Sequence, residues 1–184
     1  MNEGSLARRY AQAFFELASE DGAIDKRYEE LTHLVDAVNA AGTESQAILS
    51  NPTFTLGERR HVLDAILARL HVHHDVRNFA RLLLDKGRFG ILNEIHQSYQ
   101  TLADKAAGRV RAEVVASGEM SPAMQERIRE ALSKAMDRHV VLTTRVDSSL
   151  LGGIVARVGS RVFDASLQTR LENIQRSLLE STQA

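Results

Sequence analysis

Apolar residues recur with a helical period over roughly the first hundred positions of the chain. They return at intervals of three and four, as expected for one face of an α-helix. Turn and stop signals, among them Asp21-Gly22, Asn51-Pro52 and Gly87, divide this stretch. The pattern predicts six short helices, at about 5–20, 25–40, 43–50, from Thr55 onward, 74–86 and 90–106. Short connections between short helices favour a compact bundle.

Residues at the predicted helix starts support these boundaries. Ser5 is a candidate N-cap for the first helix, and Thr55 with Glu58 has the spacing of a capping box. Ser121-Pro122 places an N-cap residue before proline at a first helical position, which predicts a further helix at about 122–138.

After Gly108 the apolar period changes to two, which is typical of half-buried strands. The alternation predicts strands at about 110–116, 140–146, 154–158 and 161–163, with a hairpin turn at Gly159-Ser160. Asp164 or Ser166 can cap a last helix at about 166–181. The sequence therefore predicts an α+β protein, with a six-helix bundle over residues 1–106 and a small βαβββα domain over residues 107–184.

The first predicted helix is too apolar for a helix that faces a single core. Its apolar residues fill an arc of about 200°, whereas a bundle helix needs a stripe somewhat wider than about 100°. The surplus is either buried deeply within the bundle or lines a groove for a partner helix. The fifth predicted helix has a similar excess, because Leu82 lies at the edge of its apolar arc near Asp75 and Lys86.

Composition excludes several classes of protein. The 23 basic and 24 acidic residues nearly cancel, so no basic excess indicates nucleic-acid binding. The chain has no cysteine, which excludes disulfides and thiolate metal sites. It lacks a signal-peptide pattern and any apolar run of the ~20 residues needed to span a bilayer. We expect a soluble, cytoplasmic chain that reaches a membrane only through a partner.

Candidate catalytic groups do not assemble into a recognisable motif. His71, His73 and His74 cluster, but no carboxylate stands at a recognised metal-ligand spacing from them. Gly152, Gly153 and Gly159 do not match a phosphate-binding loop. We therefore expect no metal, no cofactor and no enzymatic activity.

Three segments, in their order along the chain, resemble the F-type ATP synthase delta subunit family, which includes the mitochondrial oligomycin-sensitivity-conferring protein. They are the opening Ala7–Phe15, the segment Asn78–Phe89, and the C-terminal stretch Leu151–Leu167 followed by Thr169-Arg170-Leu171. The family signature in the last stretch corresponds here to Gly152, Gly153, Gly159, Asp164, Ser166 and Leu171. Ser160 stands where the family often has aspartate after the turn glycine.

The resemblance implies a non-catalytic connector at the cytoplasmic face of the bacterial cell membrane. Its N-terminal domain would bind N-terminal helices of the alpha subunits, and its C-terminal domain the C-terminal ends of the b subunits. One alpha-subunit helix would lie between the first and fifth helices. By position, the contacts would come from Tyr10, Ala13, Phe14, Leu17, Asn78, Leu82, Lys86 and Gly87.

A helical RNA- or protein-binding adaptor of the transcription antitermination type is the alternative hypothesis. Its helical bundle would match the first half of the chain. The near-neutral charge and the α/β second half both count against it.

Overall fold

A computed structural model of the chain describes residues 3–150, 152–159 and 161–164. The chain divides into two compact units, Met1–Ala103 and Asp104–Ala184, which we call the helical unit and the sheet unit. The division falls near the end of the sixth helix, close to the predicted boundary at residues 106 and 107. The predicted α+β class is confirmed.

The described part of the helical unit contains six α-helices and one 3-10 turn. They are α1 (Glu3–Glu20), α2 (Ile24–Ala40), α3 (Gly42–Ser50), α4 (Leu56–Ala68), α5 (His74–Asp85), the 3-10 turn (Phe89–Ile91) and α6 (Leu92–Ala106), which continues into the sheet unit. Ser5 does not cap α1, because the backbone is already helical at Glu3. The sixth helix starts later than predicted, since the 3-10 turn precedes it.

A capping box starts α4, as its sequence predicts. The hydroxyl oxygen of Thr55 accepts from the Glu58 amide at 3.3 Å, and the Glu58 carboxylate accepts from the Thr55 amide at 2.8 Å. These two bonds satisfy backbone donors that would otherwise lack partners at the helix start. The Thr55 hydroxyl also donates to the Glu58 carboxylate at 2.8 Å. This bond, followed by the bond from the Thr55 amide, holds the pKa of the Glu58 carboxyl below its usual value.

One apolar core holds the helical unit together, with contributions from every α-helix in it. Tyr99 of α6 belongs to this core, is fully buried, and donates its hydroxyl hydrogen to the Ile24 carbonyl at 3.0 Å. Burial raises the pKa of Tyr99 to about 12, so the hydroxyl remains protonated and acts as a donor. This bond joins α6 to the start of α2.

The sheet unit contains four described strands and one described helix beyond α6. They are β1 (Arg109–Ala116), α7 (Pro122–Met136), β2 (His139–Val146), β3 (Ile154–Val158) and β4 (Arg161–Asp164). The strand order is β2-β1-β3-β4, with β1 and β2 parallel and the other two pairings antiparallel. Leu132 of α7 packs on buried strand residues such as Val114 and Val140. The predicted last helix, 166–181, lies outside the described residues.

Removing the hydroxyl of Thr55 tests the capping box. We expect Thr55→Ala to lower the free energy of unfolding by about 1 kcal/mol, in a range of roughly 0.5–2 kcal/mol. Urea titration followed by circular dichroism measures this change. Thr53→Ala is the matched control, because Thr53 is exposed and its side chain makes no capping bond. Equal losses in the two variants would contradict the assignment.

The lowered pKa of Glu58 predicts an acid-sensitive contribution to stability. A depressed folded-state pKa gives stability that is complete above the unfolded-state pKa, about 4.3, and is lost as the pH falls through the folded value. Glu58→Gln keeps the capping geometry but does not titrate, so its melting temperature should fall less than wild type between pH 5 and pH 2. Equal falls in melting temperature for wild type and Glu58→Gln between pH 5 and pH 2 would contradict this linkage.

Candidate functional site

An open apolar groove runs between α1 and α5. Tyr10 of α1 contacts Phe79 of α5 at a ring-centroid distance of 6.5 Å. Leu17, which follows Tyr10 along α1, shares a cavity with Asp75, which precedes Phe79 along α5. Because the order of contacts is reversed, the two helices run in opposite directions. The groove has a volume of about 350 Å³ and is lined by Tyr10, Ala13, Phe14, Leu17, Asp75, Asn78, Phe79 and Leu82.

Two phenylalanine rings form the floor of this groove. Phe14 is 2% exposed and Phe79 is 8% exposed. Their rings stack with centroids 4.4 Å apart and planes inclined by 17°. Stacked aromatic pairs contribute about 0.5–1.5 kcal/mol beyond the burial of their surface. The pair therefore fixes α1 against α5 from beneath.

Two leucines form the upper walls and remain open to solvent. Leu17 of α1 is 42% exposed and Leu82 of α5 is 44% exposed. Ala13, between Tyr10 and Leu17 on the α1 wall, is also exposed and offers only a methyl group. The wide apolar arc of α1 is therefore partly buried in the core and partly open to solvent. Ala7, Ala11, Phe14 and Ala18 are buried, and the remaining apolar surface lines the groove.

The structure brings together six of the eight residues predicted to contact a partner helix: Tyr10, Ala13, Phe14, Leu17, Asn78 and Leu82. Lys86 and Gly87 do not line the groove. Gly87 ends α5 at φ +65°, where the next amide, that of Arg88, donates to the Leu83 carbonyl at 2.7 Å. This left-handed conformation by itself explains why position 87 is glycine, so no contact with a partner protein is needed to explain it. Partner contact by these residues stays a prediction.

A buried arginine that the sequence reasoning missed fixes one end of the groove. Arg27 of α2 is 3% exposed, and its guanidinium lies 3.2 Å from the carboxylates of both Asp75 and Glu30. It also lies 3.7 Å from the carboxylate of Asp21, just after α1. Arg27 thus connects α1, α2 and the start of α5. Its i,i+3 spacing to Glu30 was a visible signal, but the link to Asp75 spans 48 residues.

The histidine cluster gains a carboxylate that sequence spacing did not indicate. His73 Nδ1 lies 2.8 Å from Asp75 Oδ2, and His74 Nε2 lies 2.9 Å from Asp75 Oδ1. His73 is also the N-cap residue of α5, since the Asp75 amide donates to its Nδ1 at 3.5 Å. Asp75 also accepts from Arg27. The cluster is therefore a hydrogen-bonded network that anchors the start of α5.

The C-terminal signature residues lie around β3 and β4. Gly152 and Gly153 precede β3 with φ values of 140° and 89°, and Gly159 follows it at φ 58°. Because these conformations are strained for other residues, glycine is required by the backbone at these points. Asp164 ends β4 opposite Val155. Ser166 and Leu171 lie outside the described residues.

In the described ranges, no helix combines the length and the apolar character needed to cross a bilayer.

The two units define a class of small α+β proteins in which a helical bundle is followed by a four-stranded mixed sheet. A mitochondrial ATP synthase hexamer from Toxoplasma gondii contains a chain with the same fold. It superposes with a TM-score of 0.69 at 22% identity, covering 95% of this chain and 97% of that one. At this identity the likeness shows the fold alone.

Sequence relatives identify the family. The profile of the family described as ATP synthase delta (OSCP) subunit matches residues 6–178. ATP synthase subunit delta of Anaeromyxobacter sp. is 39% identical over 95% of this chain and 97% of its own length. The Myxococcus xanthus protein of the same name is 38% identical over 95% of this chain and 96% of its own length. The chain belongs to the ATP synthase delta (OSCP) subunit family, and it is a structural rather than a catalytic subunit of that complex.

Replacing Arg27 tests whether its network supports the groove. Arg27→Met keeps most of the side-chain volume but leaves the carboxylates of Asp75 and Glu30 without their buried cation. We expect a loss of about 3 kcal/mol or more in the free energy of unfolding, measured by urea titration. Arg60→Met is the control, since the Arg60–Asp85 pair is exposed and should be worth less than about 1 kcal/mol. Similar losses in both variants would contradict the role given to Arg27.

Proposed function

We propose that this chain is the stator connector of an F-type ATP synthase, joining the alpha subunits of the catalytic head to the b subunits of the peripheral stalk. The observation that carries the proposal is the open apolar groove between α1 and α5. It is suited to an amphipathic helix, whose apolar side chains can enter between Leu17 and Leu82. We assign this role to the N-terminal helix of an alpha subunit.

Contact at the groove walls supplies the favourable free energy. Full burial of a leucine side chain is worth about 1.5–3 kcal/mol, so covering the exposed parts of Leu17 and Leu82 contributes roughly 1 kcal/mol at each. The small side chain of Ala13 lets the partner backbone approach closely. Tyr10 adds a large, half-buried ring with a polar tip at the rim.

Resistance to torque explains why the contact is apolar. Ion flow turns the rotor, and the head would turn with it unless a stator held it still. The connector therefore needs a contact that dissociates slowly, and affinity among related interfaces is set mainly by the dissociation rate. An apolar groove with an aromatic floor also weakens less at high salt than an exposed ion-pair interface would.

We assign the sheet unit to the C-terminal ends of the b subunits. This part of the proposal rests on family membership, which extends to residue 178 and so includes the sheet unit. The chain would lie at the cytoplasmic face of the membrane and be held there by its partners.

Leu82→Glu tests the groove directly. A carboxylate on this wall would have to be desolvated against the partner's apolar face, so we expect affinity for a peptide copying the alpha-subunit N-terminal helix to fall at least 100-fold. Isothermal titration calorimetry measures the affinity, and circular dichroism checks that the fold is retained. RNA should not compete with the peptide.

Leu56→Glu is the matched control for this experiment. Leu56 is 40% exposed at the start of α4 and does not line the groove. Its replacement should leave peptide affinity unchanged. Unchanged affinity in Leu82→Glu, or equal losses in the two variants, would overturn the groove assignment.

A further inference from the structure

Two cations flank one end of the groove between α1 and α5. Arg9 precedes Ala13 by about one turn of α1, and Lys86 follows Leu82 by about one turn at the end of α5. Because the helices run in opposite directions, both residues lie at the same end, which we call the basic end. Both are exposed, and among the described side chains neither is held by a hydrogen bond or an ion pair.

The opposite end, which we call the acidic end, carries the reverse charge. Three carboxylates gather there around Arg27, at Asp21 just after α1, at Glu30 of α2 and at Asp75 of α5. The cations nearby are Arg27, which is buried and already bonded to carboxylates, and Lys26. His73 and His74 also line this end and contact Asp75. Three carboxylates against two permanent cations leave this end with an excess of negative charge.

The helix dipoles of the groove do not oppose this side-chain polarity. Since α1 and α5 run in opposite directions, their macrodipoles largely cancel at each end of the groove. A bound helix therefore meets a field set mainly by side chains, positive at Arg9 and Lys86 and negative around Asp21. The apolar walls determine that a helix binds, and the charges determine which way it points.

We propose that the groove imposes a direction on its partner helix, with an acidic N-terminal turn at the basic end and a basic C-terminal turn at the acidic end. The partner would then run parallel to α1 and antiparallel to α5. Helices favour carboxylates in their first turn and cations in their last, so this is also the charge order in which a helix is most stable. The inference rests on the proposed function, because it concerns the same groove.

Two synthetic helical peptides with one shared apolar stripe test the direction. The first carries glutamates in its N-terminal turn and lysines in its C-terminal turn, and the second carries the same residues exchanged. Each has a nitroxide label at its N-terminus and is added to the full-length, 15N-labelled chain at low salt. Broadening of amide signals then reports which end of the groove lies near the label.

The first peptide should broaden amides near Arg9 and Lys86, and the second should broaden amides near Asp21 and Asp75. Exposed ion pairs each change affinity by about 1.4- to 5-fold, so the two directions should differ by tenfold or more at low salt. The same label position for both peptides, or the reverse pattern, would overturn the direction while leaving the groove proposal intact. Absence of binding by both peptides would overturn both.

A charge-reversed double variant gives an independent check. Arg9→Glu with Lys86→Glu should weaken the first peptide about tenfold at low salt and remove its preferred direction. Arg8→Glu with Lys105→Glu makes the same change in net charge at exposed positions that do not flank the groove. Equal weakening in both double variants would mean that net charge alone acts, and would overturn the assignment to the groove ends.

Discussion

The stacked rings of Phe14 and Phe79 hold α1 against α5. Because these rings form the floor of the groove, the space above them between the two helices stays open. Each ring is buried and belongs to the same core as the rest of the helical unit. The residues above them, Leu17 and Leu82, remain about two-fifths exposed. A rigid floor with separated walls is a surface prepared for a helix, since little of it has to move when the helix binds.

Polar contacts set the limits of this apolar surface. Arg27 joins Asp21, Glu30 and Asp75, so the end of α1 and the start of α5 are held by one buried cation. Such a network is costly to desolvate, and its gain is specificity of arrangement as much as stability. At the other end, Gly87 stops α5 sharply. The groove thus has a fixed length as well as a fixed floor.

Nothing in this arrangement needs reactive chemistry, which agrees with membership of a family of structural ATP synthase subunits. The histidines of the helical unit that looked most like metal ligands, His73 and His74, contact a carboxylate that is already bonded to Arg27. In the described part of the helical unit, the two groups with shifted pKa values, Glu58 and Tyr99, serve a helix cap and the core. The working surface is instead apolar, with charge placed at its ends.

Local sequence signals determined the secondary structure, because caps, stops and apolar periods act over a few residues. The Thr55 capping box, the Gly87 stop and the change of period after Gly108 are of this kind. Tertiary structure alone decided which part of the wide apolar arc of α1 is sealed and which stays open. It also placed Arg27 on Asp75, since an ion pair across 48 residues depends on how whole helices pack rather than on any nearby pattern.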